Sequence, residues 1–137
     1  MPAKVDTLNP PSMPTPVGLY SNLGITSGGR LAFIAGQLAV AEDGTIVGEG
    51  DIDTQIERCF RNIELALEAL GAGWPQLVKM TTYVTSDDAI ADFYRVRERL
   101  FATFFPNRAY PPNTLLVVKR LVRPEFMVEI EGVAMVP

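Results

Sequence analysis

A chain of 137 residues can bury most of the surface its unfolded form exposes, so one hydrophobic core suffices and neither a disulfide nor a metal is required to hold it. With 12 basic and 16 acidic residues the formal charge is -4, which repels nucleic-acid phosphates and anionic membrane surfaces in general. A single cysteine rules out an internal disulfide, and the absence of histidine rules out Ser-His and Cys-His nucleophile pairs and all but excludes the usual zinc sites, leaving proton chemistry to carboxylates, Tyr, Lys, backbone groups or water.

Residues 1–16 are rich in proline and read as an extended lead-in to one domain spanning residues 1–137. They lack the apolar core of a signal peptide. No apolar run approaches the roughly 20 residues of a transmembrane helix, so a cytoplasmic protein is expected. Ser27, Gly28, Gly29 and Arg30 form a turn signal, predicting a hairpin between residues 20–26 and a buried strand at 31–37. Gly36 leaves a gap in that strand where the chain can bulge or a ligand can come close. Asp43 and Gly44 mark a tight turn that folds residues 45–47 back on 38–40.

Residues 51–70 give the clearest helix. Ile52, Ile56, Phe60, Ile63, Leu67 and Leu70 recur at helical spacing, and Glu57, Arg61, Glu64 and Glu68 take the other side. Asp51 or Asp53 suits its start, and Gly71 and Gly73 suit its end. Residues 78–85 alternate as a strand, with Val78, Met80, Thr82 and Val84 on one face. Ser86, Asp87 and Asp88 then open a second helix running to about residue 105, with Ile90, Phe93, Val96, Leu100 and Phe104 as its apolar stripe. Residues 114–119 and 126–136 read as two final strands.

The order β-β-β-α-β-α-β-β predicts an α/β (α+β) chain: one mixed sheet, right-handed crossovers, and both helices on a single face. The other face then needs cover, and self-association into a closed ring of identical subunits supplies it.

Glu129 and Glu131 project from one face of the last strand. Enclosed together, at least one would have a raised pKa and could move protons near neutrality. A wet strand face or an inter-subunit ion pair is the alternative reading. Arg95, Arg97 and Arg99 are spread around the axis of the second helix. Arg97, at the margin of the apolar stripe, could reach over a pocket rim to a carboxylate or simply snorkel into solvent. Cys59, beside Phe60, reads as an inert core residue. The glycine pairs match no phosphate loop.

Several segments taken together resemble the RidA (YjgF) family. They are residues 17–21 with Tyr20, residues 33–37 with Gly36 and Gln37, Gln55 and Asn62 in the first helix, residues 69–72, residues 78–82, Pro111 and Pro112, and residues 128–131 with Ala134. The resemblance implies a chorismate-mutase-like fold in a barrel-like homotrimer with clefts between subunits. It also implies hydrolysis of reactive imines or enamines to a ketoacid and ammonia without metal or organic cofactor. Small metabolites, and neither nucleic acid nor membrane, are the expected partners. On this resemblance Glu129 matches the catalytic glutamate, Tyr20 a pocket tyrosine, and Gly36 lies on the pocket strand. Four positions depart from the family pattern. Asn113 stands where the deaminating branch has a carboxylate-clamping arginine, Leu115 replaces a cysteine, Ala35 a serine, and Arg97 a helix asparagine. Arg97, with Arg108 as a second candidate, is the expected substitute anchor for an anion. A non-catalytic metabolite-binding trimer is the alternative function, and a nuclease, to which the acidic charge and missing histidine are ill suited, a third.

Overall fold

The computed structural model describes residues 5–136. Six strands and two long helices follow one another as β1 (Val5–Leu8), β2 (Leu23–Thr26), β3 (Arg30–Gln37), α1 (Ile52–Ala69), β4 (Leu77–Val84), α2 (Asp88–Phe104), β5 (Asn113–Val117) and β6 (Val128–Val136), with a short 3-10 turn at Trp74–Gln76.

Helix α1 starts where Asp51 accepts the Thr54 N–H at 3.2 Å, and stops where Gly71 takes a φ of 68° and the Ala72 N–H reaches back to the Leu67 carbonyl at 2.8 Å. Ile56, Cys59, Phe60, Ile63 and Leu67 are sealed from solvent along its inner face. Phe60 touches the rings of Phe93 and Phe101 from α2, and Trp74 stacks on Phe104 at 4.1 Å between centroids. On the outside, Arg95 makes a two-pronged pair with Asp53 at 2.8 Å, and Arg99 pairs with Glu57. The two helices are thereby bolted along one edge.

The main sheet runs β3-β6-β4-β5. Strand β6 is antiparallel to both β3 and β4, while β4 and β5 are parallel. Each of the two helices closes a strand-helix-strand crossover, and both pack on the same face over Met80, Val84, Val128 and Ile130. The opposite face is bare. Phe33 on it is 76% exposed, and Leu31, Lys79, Tyr83, Glu129 and Glu131 share it.

Three local expectations change. Strand β2 does not form a hairpin with β3. It pairs instead with β1, Val5 opposite Thr26, so the proline-rich lead-in contributes a strand of its own. Gly28 and Gly29, at φ 73° and 79°, carry the chain between the two sheets, and the edges a hairpin would join are taken by β1 on one side and β6 on the other. Residues 45–47 do fold back, but through a single bridge between Val40 and Ile46. Along β4 the pairing slips between Leu77 and Lys79, so Leu77, not Val78, enters the core. Among the described residues no helix is long and apolar enough to cross a membrane.

Gln55 fixes where β6 begins. Fully buried, it donates to the carbonyls of Gly48 at 3.1 Å and Glu125 at 3.0 Å, and accepts the Met127 N–H at 2.9 Å. Replacement by alanine strands three partly buried backbone groups, so Gln55→Ala should lose about 2 kcal/mol in urea denaturation. A loss below about 0.5 kcal/mol would show the clamp to be dispensable.

Candidate functional site

Strand alternation divides β6. Val128, Ile130 and Ala134 enter the core, while Glu129 and Glu131 stand on the bare face. Opposite them the β3–β6 ladder passes from Ile34–Gly132 to Gln37–Ile130, so that Ala35 and Gly36 bulge against a single residue of β6. The Glu129 side chain lies across this bulge. A Cβ on residue 36 would fall 2.6 Å from Glu129 Oε2 and 2.7 Å from its Cδ. No residue but glycine leaves Glu129 that position.

Tyr83, paired with Glu129 in the β4–β6 register, donates its hydroxyl to Glu131. That bond pushes the Tyr83 phenol up from its ordinary value. Partial burial, and secondarily the charge of Glu131, push the Glu129 carboxyl up as well. One carboxyl of the pair is thus held by a phenol and the other destabilised as an anion.

A second group of residues lies on the helix side of the sheet, next to β5. Tyr20, Arg97 and Asn113 meet with Val17, Ile90, Tyr94 and Leu115 around a cavity of about 290 Å³. Asn113 Oδ1 accepts the buried Thr82 hydroxyl at 2.9 Å. The Tyr20 hydroxyl accepts the Val17 N–H at 3.4 Å and keeps its own proton available. Tyr20 and Asn113 also wall an adjoining depression of about 350 Å³ that includes Lys79 and Thr114. Arg97 differs from both readings the sequence allowed. It neither snorkels nor leans over a rim: it is 2% exposed, inside the apolar stripe, with Phe93 and Tyr94 against its guanidinium. Desolvation pushes that guanidinium below its ordinary value, although an arginine remains a cation.

Arg108 stays apart. It is exposed in the turn after α2 and borders a different depression with Glu98 and Pro106. Within one chain, then, Tyr20, Arg97 and Asn113 converge, Gly36 and Glu129 converge, and the two groups lie on opposite faces of the sheet. Cys59 is buried against the Val128 carbonyl with its thiol pushed up, and is inert. Sequence reasoning missed the cavity walls Val17 and Tyr94. Tyr94 was signalled by its spacing, three residues before Arg97 on one helix.

A family model described as Endoribonuclease L-PSP matches residues 11–136. A RutC family protein of Synechocystis is 34% identical over 90% of this chain and 91% of its own length, and a RutC family protein of Pyrococcus abyssi is 33% identical over 88% and 89%. A crystal structure described as the conserved Rid family protein YyfB of Yersinia pestis superposes with a TM-score of 0.86 at 28% identity, covering 97% of this chain and 99% of that one.

The raised Glu129 carboxyl sets a stability signature. A folded-state pKa above the ordinary 4.5 means that ionisation works against the fold, so stability falls as pH rises through the folded value. Glu129→Gln should therefore melt above the parent at neutral pH. The gain should shrink on acidification and vanish below the ordinary glutamate range, which melts taken from acid to neutral pH will show. A gain independent of pH would contradict the assignment.

Proposed function

The chain belongs to the Rid (YjgF, endoribonuclease L-PSP) family, and on that footing we propose that it hydrolyses a reactive imine or enamine to the corresponding carbonyl compound and ammonia, without a cofactor, in a cleft completed by a second copy of itself. The observation that carries this is the placement of Glu129. An anion-destabilised carboxyl lies over a glycine bulge on a bare sheet face, where a neighbouring subunit would enclose it.

In the reaction, water adds to the electrophilic carbon of the C=N bond while Glu129 accepts a proton from it. Glu129 then returns that proton to the nitrogen of the resulting carbinolamine, the C–N bond breaks and ammonia leaves, and the hydroxyl proton passes back to Glu129 as the C=O bond forms, which balances for a protonated C=N substrate. A carboxyl with a raised pKa suits both halves of that exchange. Arg97 and Tyr20 hold the substrate's anionic end. Because one chain places those groups behind the sheet and Glu129 in front, a site that uses both draws them from two subunits. The homotrimer expected of the family, in the cytoplasm, fits that requirement and covers Leu31 and Phe33.

A second reading, a metabolite-binding trimer without turnover, draws on Asn113. It is neutral, its carbonyl is already engaged by Thr82, and it cannot clamp a carboxylate as arginine does. Nuclease action fits poorly, since Glu129 and Glu131 would face the phosphates.

Imines generated by an amino-acid oxidase should decay faster with the protein than in buffer. Glu129→Gln should lower the acceleration by about 100-fold or more, the range for a lost general acid–base group. Gly36→Ala should act in the same direction by pushing the carboxyl aside. No acceleration across several amino acids, with ketoacids still bound, would select the binding trimer. Native mass spectrometry showing a monomer would remove the site altogether.

A further inference from the structure

Helix α2 sends Arg95 and Arg99 outward to Asp53 and Glu57, and Arg97 inward. The buried Arg97 Nε has no hydrogen-bond acceptor, and among the described residues the guanidinium has no ion pair. Its Cζ lies over the rings of Tyr94 at 4.9 Å, Phe93 at 5.1 Å and Phe101 at 5.9 Å from the centroids. Rings attract the cation but offer its N–H groups no lone-pair acceptor. A desolvated cation with a buried, unsatisfied Nε is costly to maintain, and a carboxylate that accepts from that N–H and its neighbour relieves it.

We propose that the cavity over Arg97 seats the carboxylate of a 2-oxo or 2-imino acid whose side chain is bulky and apolar, either branched or aromatic. The proposal rests on the imine-hydrolase reading for the 2-imino group, and on the cavity alone for the carboxylate and the side chain. Val17, Ile90, Tyr94 and Leu115 form walls suited to hydrocarbon, and the Asn113 amide and Tyr20 hydroxyl supply donors beside the guanidinium. The cavity, at about 290 Å³, is close to the roughly 300 Å³ at which pockets begin to hold drug-sized ligands, more than a three-carbon acid fills. A diacid would bring a second carboxylate against apolar walls with no second cation in the lining. The turn that carries Gly18 limits the seat from above: a Cβ there would fall 2.8 Å from Arg97 Nη2.

Calorimetric titration of the full-length chain will test this with phenylpyruvate, 4-methyl-2-oxopentanoate, pyruvate, 2-oxoglutarate and inorganic phosphate. The two bulky acids should bind at least about tenfold more tightly than pyruvate, in line with the roughly 10- to 200-fold effect of one hydrocarbon group in an apolar pocket. The diacid and phosphate should bind no better than pyruvate. Arg97→Met should abolish the preference and yet melt at or above the parent temperature without ligand, because it removes an uncompensated buried charge. A structural role for Arg97 would instead lower the melting temperature. Leu115→Phe, which keeps Arg97, should weaken phenylpyruvate binding while sparing pyruvate. Equal binding of pyruvate and phenylpyruvate, or retention of the preference in Arg97→Met, would overturn the proposal. Imine hydrolysis with a KM unmoved by Arg97→Met would overturn it while leaving the hydrolase reading intact. Selective binding without imine turnover would do the reverse.

Discussion

A four-stranded sheet covered on one face only is the constraint from which the rest of the molecule follows. Side chains alternate along a strand, so each residue of β6 belongs either to the helix-covered core or to the bare side. Ile130 is sealed under α1, and its neighbours Glu129 and Glu131 stand clear of it. The Glu129 carboxyl and the buried Arg97 guanidinium are thus separated by the thickness of a sheet. No side-chain rotation joins them, and an active arrangement that needs both is a property of the assembly.

The separation also explains how the fold tolerates two groups that lower its stability. Glu129 resists ionisation where it lies, and Arg97 is desolvated without a counterion among the described residues. Each is held by something it does not control. Gly36 leaves room for the carboxyl, and the aromatic stripe of α2 surrounds the guanidinium. The stability comes from elsewhere: the sealed aliphatic and aromatic face of α1, the Phe60–Phe93–Phe101 contacts, and the Gln55 clamp that starts β6 in register.

Much of this was legible in the sequence because it depends on period. The 3.6-residue spacing of Ile56, Phe60, Ile63 and Leu67 and the two-residue spacing of Glu129 and Glu131 require no knowledge of neighbours, and both helices appear within two residues of their predicted ends. What failed depends on partners distant in the chain. Val5–Leu8 became a strand because β2 offered it an edge, and nothing within four residues of sequence announces that. Leu77 displaced Val78 because pairing with β6 slips there. Arg97 was misjudged because a charged residue beside an apolar stripe ordinarily reaches water. Here the 17–20 segment, Tyr94 and Phe101 close over it. The grouping of Tyr20, Asn113 and Arg97 came from family resemblance, and their spacing would not have supplied it.

The ion pairs on the outer edge of the helices have a mechanical consequence. Arg95 and Arg99 are one helical turn apart, and Arg97, midway, points about 200° from each. With its neighbours tethered to α1, the helix cannot roll to release the guanidinium into water. The tethers act on the outside in the same sense as the buried stripe of Phe93, Val96 and Phe101 on the inside, and both hold the heading of an interior charge. Raised ionic strength or loss of Asp53 would slacken the tethers and leave the contacts of Phe93 and Phe101 with Phe60 alone to hold that heading.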